Sequence, residues 1–240
     1  MGWQFWIDRG GTFTDLVGIS PTGQYVIRKL LSEQPDQPGD PTVRAIKEVL
    51  ELKAEQPIPN GLIEEVRLGT TVATNALLED AGEPTVLFCN SGFKDLLRIG
   101  DQHRPELFAL HIRRTPLLAQ AVVEVQGRLD AKGQEIEPID FDAALEREVQ
   151  RHANAGLKSC AIALMHAYRN PSHELQLKDW LNQQGFSSVV CSHQICPLPR
   201  LVPRGQTTLV EATVSPVLFR YLRQIRKALG PSTRLRVMSS

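Results

Sequence analysis

Apolar residues near the start of the chain recur in short runs that predict β-strands joined by tight turns. The runs cover residues 3–7, 16–20 and 25–31, and the links between them are short. Short links favour antiparallel neighbours in a sheet. Asp40 and Pro41 then have the residue types expected at the N-cap and at the first position of an amphipathic helix. The pattern predicts a three-stranded meander followed by a helix.

Farther along, strand-like and helical patterns alternate. The predicted elements are strand 66–69, helix 71–79, strand 84–89, helix 93–99, a hairpin of 122–129 and 134–137, helix 140–155, strand 160–164, a helix opened at 170–171, strand 187–191, a helix starting at 215–216 and strand 235–238. Residues 196–203 are rich in proline and are interpreted as a connector between domains. A meander followed by this alternation is typical of an α/β fold of the ribonuclease-H-like type, in which helices flank a mixed sheet.

Composition and charge exclude several classes of protein. The apolar fraction of 42% and the charged fraction of 22% are those of a globular protein with a packed core. Lys+Arg and Asp+Glu both number 27, so no net field attracts nucleic acid or an anionic membrane. No run approaches the roughly 18 apolar residues of a membrane-spanning helix. We therefore expect a cytoplasmic protein that binds neither nucleic acid nor membrane.

The four cysteines, at positions 89, 160, 191 and 196, lack paired CxxC spacing. Two of them lie in or beside apolar runs, as buried free thiols commonly do. A zinc site built from Cys191 and Cys196 with His193 between them is the less favoured alternative.

The segment with the clearest chemistry follows the first predicted strand. Positions 8–15, DRGGTFTD, place a carboxylate at each end of a glycine turn that also carries two threonine hydroxyls. Glycines without a Cβ let the backbone approach a ligand closely, and turn amides and hydroxyls can hold phosphate oxygens. Carboxylates supply the oxygen ligands that Mg²⁺ prefers. The segment predicts a site for a nucleoside triphosphate.

A second motif, GTTVATNALLE, occupies positions 69–79. Thr71, Thr74 and Asn75 fall at helical offsets of three and four and therefore share one helix face. A polar stripe near the start of a helix suits an anion or a substrate amide. The alternative is that Thr71 is merely an N-cap.

Together, the two motifs closely resemble the hydantoinase/oxoprolinase family of the actin-like ATPase superfamily. Shorter segments resemble its ATP-hydrolysing 5-oxoprolinase branch: positions 30–33, 92–97, 99–100 with 102 and 104, 164–166, and 203–205. The resemblance implies an N-terminal family domain over residues 1–198, with an irregular insertion at about 100–139. Residues 199–240 would be a connector and the start of the following hydantoinase A domain.

Proteins of this family continue well beyond such a region, so we expect an N-terminal fragment that is truncated before the second domain. The fragment would offer one wall of a nucleotide cleft and would be inactive alone. The rest of the polypeptide, or a B-type subunit, would complete the site, and we expect the full-length form to be a homo-oligomer.

The activity implied by the resemblance is ATP-driven opening of a lactam, in which 5-oxo-L-proline, ATP and water give L-glutamate, ADP and phosphate. The amide oxygen would be phosphorylated first. ATP and Mg²⁺ would be the cofactors, and a monovalent cation is a further candidate. The implied catalytic residues are Asp8 and Asp15, with Asp8 holding Mg²⁺ through water; Gly10, Gly11, Thr12 and Thr14 bind the ATP phosphates; Thr70, Thr71, Asn75 and Arg104 bind the substrate.

Three other functions share parts of these motifs. An N-methylhydantoinase-type enzyme would open a different cyclic amide with ATP. A small-molecule kinase of the same superfamily would transfer phosphate to a stable hydroxyl acceptor and would release a phosphorylated product. A nucleotide switch of the actin or chaperone kind would use ATP to drive assembly, although the motif at 69–79 argues against it.

Overall fold

The computed structural model describes residues 2–32, 39–102, 108 and 116–238. Their strands are β1 (Trp3–Arg9), β2 (Phe13–Ile19), β3 (Tyr25–Leu31), β4 (Ile63–Thr70), β5 (Thr85–Asn90), β6 (Ala119–Val125), β7 (Arg128–Leu129), β8 (Glu135–Glu137), β9 (Ser159–Ile162), β10 (Ser188–Cys191) and β11 (Arg234–Val237). Their helices are α1 (Pro41–Val49), α2 (Val72–Leu78), α3 (Leu96–Ile99), α4 (Ala143–Asn154), α5 (Ser172–Gln183), α6 (Ser192–Ile195) and α7 (Leu201–Leu229).

The chain divides into two compact units. Unit 1 combines Met1–Ala81 with Val217–Ser240, and unit 2 is Gly82–Pro216. Unit 2 is therefore inserted into unit 1 along the sequence. The family-domain boundary between residues 198 and 199 follows a different criterion and stays a prediction.

Unit 1 contains a five-stranded mixed sheet in the order β11-β4-β1-β2-β3. The predicted meander is confirmed, because β1 pairs with β2 and β2 with β3 in antiparallel fashion. Strand β4 lies parallel to β1 on its other side, and β11 lies parallel to β4. Strands β2 and β3 thus follow on one side of β1, and the chain then crosses to the other side to form β4. The strand order therefore reverses between β1 and β4, which makes this position a topological switch point.

Period-two alternation decides which face of this sheet each side chain occupies. Phe5 and Ile7 are buried in the core of unit 1, whereas Trp6 and Asp8 between and after them are exposed. Helix α1 and the C-terminal part of α7 cover the buried face, through Ile46 and Ile225 among others. The other face carries Asp8 and Asp15 of the first motif.

The predicted start of α1 is also confirmed. Asp40 is the N-cap, and its carboxylate accepts a hydrogen bond from the Thr42 amide at 2.8 Å. Pro41 takes the first helical position, where a missing N–H costs nothing.

Unit 2 contains a parallel four-stranded sheet in the order β10-β9-β5-β6. Here the predicted hairpin of 122–129 with 134–137 is too long. Residues up to Val125 belong to β6, which lies parallel to β5, and only β7 and β8 form an antiparallel hairpin. Gly127 lies between β6 and β7 at φ 128°, and a Cβ there would lie 3.0 Å from the backbone of Ile139, so the position requires glycine and the two strands are not continuous.

The last helix starts earlier than predicted. It begins at Leu201 rather than at Ser215-Pro216, and it continues through Pro216 to Leu229. Proline removes the N–H that would bond to the carbonyl four residues earlier. That carbonyl, of Ala212, instead accepts a hydrogen bond from the Ser159 hydroxyl at 2.6 Å. The lost helical bond is therefore replaced, and the predicted connector at 196–203 runs into the helix. None of the helices in the described part of the chain combines the length and apolar character needed to cross a bilayer.

Candidate functional site

The glycine turn between β1 and β2 is closed by one backbone hydrogen bond. The Gly10 amide donates to the Phe13 carbonyl at 3.0 Å. Neither Gly10 nor Gly11 has a left-handed backbone conformation, so their role is to leave space. A Cβ on Gly11 would lie 3.0 Å from Nδ2 of Asn75, and one on Gly10 would lie 3.0 Å from the Phe13 carbonyl oxygen. Both distances are shorter than a Cβ contact normally allows.

The turn leaves two amides for a ligand. The Gly10 N–H is used within the turn, whereas the amides of Gly11 and Thr12 have no acceptor among residues 2–32, 39–102 and 116–238. Successive backbone amides that point out of a turn form a concave site for an anion.

Ser32 braces the turn from the end of β3. Its hydroxyl donates to the Gly10 carbonyl at 2.8 Å, and its amide donates to the Thr12 carbonyl at 2.9 Å. The hydroxyls of Thr14 and Ser32 are 3.0 Å apart, and Thr14 is fully buried. The Thr14 hydroxyl therefore faces the support of the turn rather than its exposed edge.

The two carboxylates of the first motif lie on the exposed face of the sheet. Asp8 and Asp15 are directly opposite each other across β1 and β2. Lys29 lies opposite Asp15 on β3, and its Nζ is 2.9 and 3.1 Å from the two carboxylate oxygens. Oδ1 of Asp8 lies 3.2 Å from the position that a Cβ of Gly69 would occupy. Asp15 thus has a cationic partner, while Asp8 lies over a glycine.

The second motif connects β4 to α2 beside the turn. Thr71 occupies the N-cap position of α2 without making a side-chain cap. Its amide and its hydroxyl instead donate to the Arg9 carbonyl, at 3.1 and 3.3 Å. The Thr70 hydroxyl accepts from the Val72 amide at 3.3 Å. These bonds fix the start of α2 against β1, so that Asn75 lies next to Gly11. Arg104, the predicted ligand of the substrate carboxylate, lies outside the described residues.

A pocket of about 360 Å³ opens at the carboxyl ends of β1 and β4, entirely within unit 1. Its walls include Arg9, Gly11, Ser32, Asn75, Tyr221 and Gln224. The volume lies at the lower end of the roughly 300–1,000 Å³ typical of small-molecule sites. Ligands of open α/β sheets bind outside the carboxyl ends of strands at a topological switch point, which is where this pocket lies.

Arg9 is a cation in this pocket that is held by two neighbouring side chains. Its guanidinium lies 4.6 Å from the centroid of the Tyr221 ring, and one of its nitrogens is 3.6 Å from Asp40. The Tyr221 hydroxyl is 3.1 Å from that of Thr42. Burial, and then the charge of Asp40, raise the pKa of Tyr221, so this phenol stays protonated at neutral pH.

Unit 2 contains a separate buried polar cluster around Glu174. The Glu174 carboxylate accepts from the Leu164 amide at 2.9 Å and from the amide and Nδ1 of His193 at 3.0 and 2.6 Å. Arg204, also fully buried, lies 3.7 Å away. These contacts tie the ends of β9 and β10 to α7.

The considered zinc site gains no support from this cluster. Cys191 and His193 do approach each other, and the potential ligand atoms of Glu174, Cys191 and His193 lie within 4.8 Å of one another. Cys196 is not in this group. Burial, and then Glu174, raise the pKa of Cys191 to about 12, which disfavours the thiolate that binds metal. The Glu174 lone pairs are already used by protein donors, so the cluster is structural.

The sequence profile of a protein family described as the hydantoinase/oxoprolinase N-terminal region matches residues 4–185. The chain belongs to this family. The resemblance carried by positions 8–15 and 69–79 is thereby confirmed.

Relatives of this hydantoinase/oxoprolinase chain are longer proteins. A 5-oxoprolinase of Arabidopsis thaliana is 37% identical in an alignment that covers 91% of this chain and 19% of the relative. A 5-oxoprolinase of Dictyostelium discoideum is 32% identical, over 93% of this chain and 20% of the relative. The alpha subunit of a caprolactamase from Pseudomonas jessenii is 33% identical, over 91% and 32%. The chain thus spans about a fifth of the length of the 5-oxoprolinases it matches.

Two solved structures share the fold of this hydantoinase/oxoprolinase chain. An ATP-dependent caprolactamase from Pseudomonas jessenii gives a TM-score of 0.75 at 26% identity, over 98% of this chain and 35% of that one. A nucleotide-free acetone carboxylase gives 0.74 at 21% identity, over 99% and 36%, and that likeness concerns the fold alone. The predicted fold class, a mixed sheet flanked by helices as in actin-like ATPases, is confirmed.

Sequence reasoning missed two residues of the hydantoinase/oxoprolinase site. Ser32 lies within the matching segment 30–33, but its role depends on β3 ending beside the turn. Pairing of Phe13 with Leu31 places it there, and a register prediction could have found it. Arg9 lies inside the first motif, but no role was predicted for it. Strict alternation from Asp8 puts it on the opposite face of the sheet, toward the pocket.

Proposed function

We propose that this chain supplies the phosphate-binding turn and the lactam-binding wall of an ATP-dependent cyclic amide hydrolase whose substrate is 5-oxo-L-proline. The observation that carries the proposal is the braced glycine turn at the switch point, with free amides at Gly11 and Thr12 beside the pocket. The family and the 5-oxoprolinases among its relatives support the choice of reaction.

The chemistry explains why such a reaction consumes ATP. A lactam is a resonance-stabilised amide, and water attacks it slowly. Transfer of the γ-phosphoryl group to the amide oxygen releases ADP and makes the ring carbon electrophilic. Water then adds to that carbon, the ring nitrogen leaves with a proton, and a second water releases phosphate from the resulting acyl phosphate. The protein has to hold the phosphoryl group in line with the amide oxygen and to neutralise the developing charge.

The proposed roles follow from the positions of the side chains. The amides of Gly11 and Thr12, with the exposed Thr12 hydroxyl, bind phosphate oxygens. Gly10 closes the turn, and Thr14 holds it through Ser32 rather than touching phosphate. Thr70 and Thr71 orient the wall that carries Asn75.

Asp8 fits the requirement for a Mg²⁺ ligand, directly or through water, because it is an exposed carboxylate at the turn. Mg²⁺ would neutralise charge on the phosphates. Asp15 is paired with Lys29, so its catalytic role in this proposal is to brace the turn and set the local charge. A monovalent cation is a further proposed cofactor, and we assign no residue to it.

We further propose that the remaining polypeptide, or a B-type subunit, completes the nucleotide site and that the complete enzyme is a homo-oligomer. The lengths of the relatives support a longer chain. Buried, unpaired thiols at Cys89, Cys160 and Cys191 support a cytoplasmic location.

Product analysis tests the reaction and separates it from its alternatives. A protein that contains this chain and the remainder found in its relatives is incubated with ATP, Mg²⁺ and 5-oxo-L-proline. Free phosphate and glutamate in equal amounts support the proposal. Turnover of a hydantoin but not of 5-oxo-L-proline indicates the N-methylhydantoinase type, and a phosphorylated acceptor without free phosphate indicates a kinase.

A further inference from the structure

The geometry points to Arg9 as the ligand of the substrate's carboxylate, with Asn75 as the ligand of its lactam amide. This inference rests on the proposed function and gives its site a substrate class: a five-membered lactam that carries a carboxylate. Both residues line the pocket of unit 1, and both lie within the described part of the chain.

Strand alternation places the proposed Mg²⁺ ligand and the proposed substrate ligand on opposite faces of the sheet. Asp8 is on the exposed face of the sheet, whereas its neighbour Arg9 points to the face that α1 and α7 cover. Gly10 and Gly11 follow directly and form the rim between them. A lactam in the pocket would therefore present its amide oxygen at the rim, where the Gly11 amide is available for a phosphate.

Arg9 is oriented for a ligand without being saturated. Tyr221 supports one face of the guanidinium at 4.6 Å. Asp40 is 3.6 Å away, beyond hydrogen-bonding distance, and its other oxygen is committed to the Thr42 amide. The planar fork of an arginine can give two parallel N–H bonds to a carboxylate. A substrate carboxylate would make the short bonds that Asp40 does not make.

Asn75 matches the other end of the substrate. The amide of a five-membered lactam is cis, so its N–H and C=O point to the same side. A carboxamide side chain presents one donor and one acceptor with the complementary spacing. The Asn75 carboxamide has no hydrogen-bond partner among residues 2–32, 39–102 and 116–238, and its Nδ2 faces Gly11. The lactam oxygen can accept from Nδ2 with one lone pair and keep the second for phosphoryl transfer.

The pocket also offers apolar wall for the ring carbons. Val72, Ala76, Ala81 and Val217 contribute to its lining. Two methylene groups of the ring can contact these side chains without placing a polar group against them. An uncharged lactam would leave Arg9 without its short partners, so the pocket selects the carboxylated substrate.

Equilibrium dialysis or calorimetry without ATP, on a protein that contains this chain and the remainder found in its relatives, tests this without any turnover. Three probes are compared: 5-oxo-L-proline, 2-pyrrolidinone, which lacks the carboxylate, and cyclopentanecarboxylate, which lacks the amide. The wild-type chain should bind 5-oxo-L-proline saturably and more tightly than either analogue. A hydrogen-bonded charge pair contributes about 1.5–3 kcal/mol, so Arg9→Gln should lower the preference for 5-oxo-L-proline over 2-pyrrolidinone about 10- to 150-fold.

Matched variants separate recognition from structural damage. Asn75→Leu should lower the preference over cyclopentanecarboxylate, and Arg9→Lys should restore part of the preference lost in Arg9→Gln. Arg223→Gln, on the exposed face of α7 in the same unit, should leave both preferences unchanged. General unfolding would weaken all probes together and would not move these ratios.

Several results would overturn the inference. Arg220 is a second arginine that lines the pocket. The results are absence of saturable 5-oxo-L-proline binding, an unchanged preference in Arg9→Gln, a loss confined to Arg220→Gln, or displacement of 5-oxo-L-proline by adenosine from the same pocket. The outcome is distinct from that of the proposed function. ATP-dependent hydrolysis with Arg9-independent binding would leave the function standing, whereas Arg9-dependent binding without hydrolysis would remove the function and keep the site.

Discussion

The carboxamide of Asn75 lies directly over Gly11, with Nδ2 3.0 Å from the place that a Cβ of residue 11 would take. This contact joins the two motifs of the sequence, through residues that lie 64 positions apart. It also explains the second glycine of the turn. That glycine is needed for the close approach of a side chain rather than for an unusual backbone conformation.

Gly11→Ala should therefore impair substrate use more than stability. The new methyl group forces the Asn75 side chain away, because the contact is too short for a Cβ. Loss of chain entropy in the unfolded state stabilises such a variant by about 0.4–1 kcal/mol, which offsets strain of similar size. We expect the KM for the lactam to rise about tenfold while the midpoint of urea unfolding changes little.

A double-mutant cycle with Asn75→Ala checks this cause. If the methyl group acts by displacing Asn75, Asn75→Ala should raise the KM for the lactam much less in the Gly11→Ala background than in the wild type. Additive effects of the two substitutions would contradict the explanation.

Asp8→Asn should reduce ATP-dependent turnover of the complete enzyme by about 100-fold or more, to near background. An amide has no charge to hold Mg²⁺, and loss of an outer-sphere metal partner alone typically costs 10- to 100-fold. Circular dichroism should show an intact fold, because Asp8 is exposed. Asp15→Asn is the matched control on the opposite strand and should cost less, since Lys29 already neutralises Asp15. Near-normal turnover in Asp8→Asn would remove this residue from the site.

Ser32→Ala should loosen the phosphate turn from behind. It removes the donor to the Gly10 carbonyl and leaves the buried Thr14 hydroxyl without its partner. Unmade buried hydrogen bonds cost about 1–3 kcal/mol, which chemical denaturation can measure, and the KM for ATP should rise as well. Ser20→Ala, in the exposed turn between β2 and β3, should change stability by less than about 0.5 kcal/mol. Equal losses in the two variants would show that Ser32 has no special role.

Glu65 should make the stability of unit 1 depend on pH. The hydrogen bond from Arg67, followed by the charges of Arg236 and Arg234, holds the pKa of Glu65 below its ordinary value. A carboxylate whose pKa is lowered on folding stabilises the fold above its unfolded pKa of about 4.5, and this contribution is lost as the pH falls through the folded pKa.

Glu65→Gln should therefore destabilise the protein at pH 7, and the difference from wild type should shrink as the pH falls below about 4. Urea denaturation at several pH values measures it. A difference that stays constant down to pH 3 would mean that the pairing of β11 with β4 does not use this charge.

Local patterns predicted the parts of the fold that local forces determine. The meander and α1 follow from alternation, short turns and the Asp40-Pro41 start. The pairing of Glu65 with Arg234 could not be predicted in this way, because it joins strands separated by the whole of unit 2. The start of α7 was predicted wrongly at Ser215-Pro216, because a proline usually marks a helix start. The hydroxyl of Ser159, which replaces the lost helical bond, comes from a strand that is distant in sequence.

The chemistry of the site was predictable as far as it lies within one motif. The motifs predicted Asp8 and the glycines at the phosphates and Asn75 at the substrate, and the structure brings Gly11 and Asn75 together. It could not show that Thr14 is buried against Ser32, because that depends on where β3 ends.

The central claim is that a protein containing this chain opens 5-oxo-L-proline at the expense of ATP. The most direct measurement is simultaneous assay of phosphate and glutamate release from the complete enzyme, with and without the lactam. The account predicts one phosphate per glutamate and phosphate release that depends on 5-oxo-L-proline. Phosphate release that is unaffected by the lactam, or a phosphorylated product that accumulates without glutamate, would contradict it.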